Sequence, residues 1–279
     1  MKVLLFPGQG SQYVGISKLI DKKKLFFAQE ILQDSSFAEN ILQGTEEILR
    51  DTYYSQLSIF LASASIFDHY LEEFDYALGH SLGEYSALYA CGVFSFEDAI
   101  KIIQQRALLM KENLQGSMWA VITQEPLEKF LYKSLVIANY NSHEQYIVAG
   151  LEEDFFVFQE SIQNLKARII PLKVAGAFHS PFMRKSSEKF EQFLKDQTFH
   201  ALKKPYLSNV TAKISYDLNK QEFIDMLVKQ LYCPVLWYQS ILNFTDADHF
   251  IEIGPSKVLT NLMKKIYPNS LSYSYEVIL

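Results

Sequence analysis

Residues 75–90 hold the pattern that most restricts this chain. Asp75-Tyr76-Ala77-Leu78-Gly79 is a short, mostly apolar run, and His80-Ser81-Leu82-Gly83-Glu84 follows at once. Tyr85 to Ala90 then continue as a helix that stops near Gly92. Gly79-His80-Ser81-Leu82-Gly83 is thus a G-x-S-x-G elbow set between a strand and a helix. Glycines on both sides permit a sharp turn that lifts the Ser81 hydroxyl out of the sheet. The turn also puts Ser81 at a helix N-terminus, where the backbone dipole favours negative charge, so the Leu82 amide can face an oxyanion. A glycine-rich turn with an incidental serine is the other reading, and the pentapeptide alone does not separate the two.

Strand–helix alternation extends to either side. Lys2 to Phe6 read as a buried strand closed by Pro7-Gly8. Residues 56–71 place Leu57, Phe60, Leu61, Ala64 and Phe67 at helical spacing, and 98–114 carry Ile102, Ile103, Leu109 and Met110. This predicts an α/β fold with a parallel sheet. The pattern changes after Gly116. A strand at 118–123, a helix at 125–133 opened by Pro126, strands at 135–139 and 145–149, a helix at 152–166 and a strand at 168–174 follow. The order β-α-β-β-α-β is the ferredoxin-like split unit. We read it as a small subdomain, 116–178, inserted into a larger domain of 1–115 and 179–279. Helices at 182–197 and 221–231 and strands at 206–210 and 249–253 complete the large domain, and 270–279 carry no strong signal.

Composition narrows the class. The 279 residues are 49% hydrophobic and 21% charged, which excludes a disordered or fibrous chain. A net charge of −6 argues against a nucleic-acid binder. Cys91 and Cys233 alone make neither a disulfide framework nor a four-ligand zinc site, and they point to a reducing, cytoplasmic setting. The first apolar run is too short for a signal peptide, and no run reaches the ~18 residues of a membrane helix. No metal, flavin or nucleotide fingerprint is present, so no cofactor is expected.

Other residues fit a hydroxyl nucleophile. The loop Pro7-Gly8-Gln9-Gly10-Ser11-Gln12 follows the first strand, at the edge where open α/β sheets place ligands. It is either an ordinary turn or the source of a second oxyanion donor, the Gln9 amide. A nucleophile needs a base. Among six histidines, His179 in Ala177-Phe178-His179-Ser180-Pro181 lies where the insert rejoins the large domain, facing the elbow across a cleft. His80 adjoins Ser81, but neighbouring side chains on a tight turn point apart. Arg106 is either a solvated charge or a partly buried guanidinium of the kind that holds a carboxylate in two parallel hydrogen bonds.

Together these stretches resemble the malonyl-CoA:acyl carrier protein transacylases and the acyltransferase domains of polyketide synthases. The matching segments are Phe6–Gln12, Gly79–Glu84, Gln105–Met110, Gly116–Val121, Ala177–Pro181, Ser208–Val210, Gln230–Val235 and Glu252–Pro255, in order along nearly the whole chain. The resemblance implies an α/β-hydrolase-like large domain that carries the insert. It implies Ser81 as the nucleophile on the malonyl thioester and His179 as its base. The Gln230 main-chain carbonyl would orient the imidazole in place of a triad carboxylate, with Leu82 and Gln9 as oxyanion donors and Arg106 gripping the malonyl carboxylate. Phe178, Met110 and Asn209 fall at acyl-pocket positions. Leu82 and Phe178 stand where larger extender units are often marked by other residues, which favours malonyl.

The resemblance further implies CoA thioesters and an acyl carrier protein as partners, and a free-standing enzyme acting in trans in fatty-acid or polyketide synthesis. Lys173, Arg184, Lys185, Lys203 and Lys204 are candidates for a basic docking face. Residues 20–55 look short for the family, Gly176 departs from its pattern, and Trp119 is bulky for a strand unless it faces outward. A hydrolase clearing stalled carriers and a non-catalytic scaffold are the competing readings. Arg106 argues against the first, and intact Ser81 and His179 against the second.

Overall fold

The computed structural model describes residues 1–275 apart from Asn113 and Ala247. Ten strands form two sheets in an α/β arrangement. The larger has six strands: β1 (Lys2–Phe6), β2 (Tyr76–Gly79), β7 (Tyr206–Leu207), β8 (Ile214–Ser215), β9 (His249–Glu252) and β10 (Leu271–Ser274). Their order is β10-β9-β1-β2-β7-β8, parallel except for β8 on β7.

Alternation along β1 divides its side chains between the two faces. Leu4 and Phe6 join the main core, while Val3 and Leu5 join a second cluster with Trp237, Leu259 and Met263. A parallel sheet needs cover on both faces. The main core is roofed by α1 (Lys22–Leu32), α2 (Phe37–Gln43), α3 (Glu46–Arg50), α4 (Thr52–Asp68), α5 (Gly83–Ala90) and α6 (Phe96–Lys111). Helix α4 is buried along nearly its whole length.

The smaller sheet holds β3 (Ser117–Ile122), β4 (Val136–Tyr140), β5 (Gln145–Gly150) and β6 (Arg168–Pro171), in the order β4-β5-β3-β6 and antiparallel throughout. With α7 (Glu152–Ser161) it encloses a separate apolar cluster. Trp119 lies inside that cluster, stacked on Phe155 with ring centroids 3.8 Å apart, so the expectation that it faces outward is corrected. The helix expected at 125–133 is a single 3₁₀ turn, Glu128–Phe130, with no buried residue. A short helix without an apolar face to pack has too little to hold it.

The chain returns through α8 (Arg184–Lys195), α9 (Lys220–Tyr232), α10 (Trp237–Ile241) and α11 (Val258–Ile266). Two main-chain bonds tie the small sheet to the segment between α9 and α10: Val235 donates to Ala138 (2.8 Å), and Tyr140 donates to Val235 (3.0 Å). The strand expected over 206–210 stops at Leu207, because the Asn209 amide donates to a side chain instead of a ladder. The helix expected to reach 114 ends at Lys111, and Asn113 lies outside the described residues. So do residues 276–279, while Leu271–Ser274, without a strong sequence signal, form the sheet edge β10. Among the described residues no helix is long and apolar enough to cross a membrane, and no group of three His, Cys, Asp or Glu side chains could hold a metal ion.

Candidate active site

The elbow sits at the carboxyl end of β2, where Gly79 pairs with Phe6 of β1. Backbone packs directly on backbone there. A Cβ on Gly83 would lie 1.9 Å from the Phe6 carbonyl oxygen, and one on Gly8 would lie 2.2 Å from that of His80. The glycines of both motifs are therefore required by each other's main chain. Ser81 adopts a left-handed conformation, φ 53°. It precedes the first turn of α5, where Gly83 donates to the His80 carbonyl and Glu84 to that of Ser81, 3.0 Å each. The Leu82 amide lies just ahead of those bonds, at a helix opening whose first N–H groups lack helical partners.

Ser81 and His179 meet. The Ser81 Oγ–His179 Nε2 distance is 2.7 Å, and His179 Nδ1 lies 2.7 Å from the Gln230 carbonyl oxygen at the end of α9. A ring nitrogen facing a carbonyl carries the proton, which leaves Nε2 as the acceptor for the serine hydroxyl. Burial, and then the nearby Arg106 charge, push the His179 pKa down to about 3, so the ring is neutral.

Arg106 is 1% exposed, which decides between its two readings: it is a buried guanidinium. Its Nη1 donates to Gln56 Oε1 (2.7 Å), and its Nη2 to Gln230 Oε1 (3.1 Å) and Ser81 Oγ (3.3 Å). Its face lies over the Tyr85 ring, 5.2 Å from the centroid.

Ser81 and His179 line a cavity of about 410 Å³, and Arg106 reaches it from behind through its bond to Ser81 Oγ. Gly8, Gln9, Gly10, His80 and Ser81 form one wall, and Met110, Met118, Ile147 and Phe178 another. Helix α11 also lines it, with Val258, Asn261 and Lys265. Gln9, Met110 and Phe178 thus border the cavity. The Leu82 side chain is wholly buried in the main core. Asn209 is corrected: it lies beneath the elbow and does not line the pocket. Its Oδ1 accepts from the Ser81 amide (2.8 Å) and its Nδ2 donates to the Gly79 carbonyl (2.6 Å), which consumes the carboxamide. Two members of the expected basic face, Lys203 and Lys204, are also corrected. Lys204 pairs with Glu73 at 2.8 Å, at the sheet edge opposite the elbow, so Lys203 and Lys204 do not share a surface with the cleft. Lys265 is the lysine that lines it.

Sequence reasoning missed Gln56 and Glu84, which sit among apolar helix neighbours and carry no spacing signal. It also missed Asn141, whose Oδ1 lies 2.8 Å from His80 Nε2 and ties the elbow to the small sheet.

A family model described as an acyl transferase domain matches residues 3–278. The chain belongs to the acyl transferase family. This acyl transferase is 37% identical, over 95% of its length and 93% of the relative's, to the malonyl CoA-acyl carrier protein transacylase of Synechocystis sp.. It is 34% identical to the Bacillus subtilis protein of the same name, covering 94% of this chain and 89% of that one. The Synechocystis crystal structure matches its fold with a TM-score of 0.86 at 35% identity, over 98% and 96% of the two chains. A malonyl-transacylase solved in complex with a type II PKS acyl-carrier protein matches at 0.90 and 28% identity, over 98% and 95%.

Proposed function

We propose that this acyl transferase moves a malonyl group from CoA to the phosphopantetheine thiol of an acyl carrier protein through an acyl-Ser81 intermediate. The observation that carries the reading is the convergence of His179 Nε2 at 2.7 Å and Arg106 Nη2 at 3.3 Å on Ser81 Oγ. Nucleophile, base and a cation for an acyl carboxylate thus meet at one hydroxyl.

His179 takes the Ser81 proton as Oγ bonds to the thioester carbon. The carbonyl oxygen becomes an oxyanion, for which the Leu82 and Gln9 amides are the proposed donors. Collapse breaks the C–S bond, and His179 returns the proton to the departing CoA thiol. The carrier thiol then attacks the acyl-Ser81 ester by the same steps in reverse. Arg106 holds the malonyl carboxylate throughout, and Met110 and Phe178 wall the acyl group. The chain itself supplies every group these steps need, without a cofactor.

The organisation that accompanies this reading is a hydrolase-like large domain, 1–115 and 179–279, with a ferredoxin-like insert, 116–178. The antiparallel order β4-β5-β3-β6 supports the insert, although its first helix is reduced to a 3₁₀ turn. Action in trans in the cytoplasm, in fatty-acid or polyketide synthesis, belongs to the same proposal. The free thiols of Cys91 and Cys233 support a reducing setting.

Intact-protein mass spectrometry tests the reading. The protein is incubated with equimolar malonyl-, methylmalonyl- and acetyl-CoA, with and without carrier. A malonyl adduct on Ser81 that moves to the carrier is expected. An adduct that decays to free acid instead would favour a hydrolase.

A further inference from the structure

Glu84 is fully buried beside the site, yet the acylation steps above leave it without a role. Each of its carboxylate oxygens meets a donor. The Asn209 main-chain amide lies 3.1 Å from Oε1, and Gln230 Nε2 lies 2.7 Å from Oε2. The Gln230 amide is held on both sides. Its nitrogen also donates to the Ser81 carbonyl (2.8 Å), and its oxygen accepts from Arg106 Nη2 (3.1 Å). Turning that amide over would set its oxygen against two acceptors and its nitrogen against a guanidinium donor.

We propose that Glu84 is a positioning residue whose carboxylate fixes the orientation of the Gln230 side-chain amide and thereby aims Arg106 at the acyl carboxylate. The proposal rests on the malonyl-transfer reading above. Two acceptor oxygens facing two donors require a carboxylate; a carboxamide of the same shape must turn its own nitrogen toward one of them. The Asn209 amide is main chain and cannot yield, so the conflict passes to the rotatable Gln230 side chain. Glu84 also supplies a negative field at Arg106, which is buried with it. The Gln230 main-chain carbonyl on His179 belongs to α9 and does not depend on the amide's orientation.

The test is Glu84→Gln in the full chain at pH 8.5, above the value of about 7 to which burial raises Glu84, with Ser81 acylation by malonyl-CoA and by acetyl-CoA measured separately. Malonyl kcat/KM should fall about 10- to 100-fold, the range for a lost hydrogen bond to a charged group. The acetyl rate should change less than about threefold, because Ser81 and His179 keep their geometry. Gln230→Met removes the amide and keeps the carbonyl; it also removes the bond to the Ser81 carbonyl, so both rates should fall, with malonyl acylation falling about 10- to 100-fold further than acetyl acylation. The double variant should match Gln230→Met alone, because Glu84 acts through Gln230. Equal losses for both acyl groups, or effects that multiply in the double variant, would overturn the proposal. Should Glu84→Gln not accumulate as folded protein, unchanged malonyl preference in Gln230→Met would overturn it instead. A wild-type chain that takes no malonyl on Ser81 would fail the parent reading, which these variants leave distinguishable.

Discussion

Ser81 and His179 both hold left-handed backbone conformations, with φ 53° and 56°, while their side chains meet at 2.7 Å. A residue other than glycine is uncommon in that region, although histidine enters it more readily than serine. The surrounding structure holds both there: the elbow is clamped by Asn209, and the His179 amide donates to the Leu231 carbonyl at 3.1 Å. Such conformations persist where packing over-determines them, and they recur at working sites.

That conformation can be read directly in stability. Ser81→Ala and Ser81→Gly both lose the hydroxyl and should both fail to form an acyl-enzyme. They differ in a Cβ at positive φ, so Ser81→Gly should be more stable than Ser81→Ala by about 1 kcal/mol in urea unfolding. An alanine variant as stable as the glycine one would show that the backbone relaxes there at no cost.

Arg106→Ala should lower kcat/KM for malonyl-CoA about 100-fold and raise relative use of uncharged acyl groups. It should also change the pH profile. The Arg106 charge helps hold the His179 pKa down, so its removal lets the imidazole take a proton at higher pH. The acid limb for a neutral thioester should move upward in the variant. An unmoved limb would assign the low basicity of His179 to burial alone.

His179 should make the fold acid-sensitive in a defined window. Its pKa falls from 6.5 in the unfolded chain to about 3 in the folded one. Below pH 6.5 the unfolded state binds a proton that the folded state refuses, so stability falls with pH and levels off near 3. By pH 5 the loss from this group is about 2 kcal/mol. Burial raises Glu84 to about 7, which works in the opposite sense, costing stability as pH rises from 4.5. Comparing wild type with His179→Asn in urea at pH 7 and pH 5 isolates the histidine. The variant should lack the drop.

Asn209→Ala should loosen the elbow without touching the cavity wall. Two bonds vanish, and the Gly79 carbonyl and Ser81 amide lose their partner. Unfolding free energy should drop by about 2–4 kcal/mol, with acylation slowed for every acyl group alike. A loss confined to malonyl would argue against a purely mechanical role.

Much of this was legible in the sequence because the motifs dictate local geometry. Glycines at fixed offsets from Ser81 announce a turn, and the apolar run before them announces a parallel strand. His179 was reachable through its motif, Ala177-Phe178-His179-Ser180-Pro181, and the family resemblance that motif carries. Illegible were contacts made by residues distant along the chain. The bonds of Asn209 to the elbow span 128 and 130 positions, and that of Gln56 to Arg106 spans 50. Helices α1 and α11 also escaped, as did α2, α3 and α10, which are only seven, five and five residues long. Trp119 misled because bulk alone does not say which face of a strand looks inward. The small sheet buries both, Trp119 on its own cluster and Met118 and Ala120 on the main core.

The interlocked glycines bear on how such a catalyst can diversify. Gly8 and Gly83 lie against the carbonyls of His80 and Phe6, and Gly8 lines the cavity, so part of one wall is main chain. Main chain cannot be trimmed by substitution, and these two positions cannot accept a larger residue. New acyl preferences must therefore arise on the opposite side, through Met110, Met118, Ile147 and Phe178, whose side chains vary without moving the nucleophile. A library aimed at bulkier extender units would be spent well on those four positions and wasted on the glycine loop.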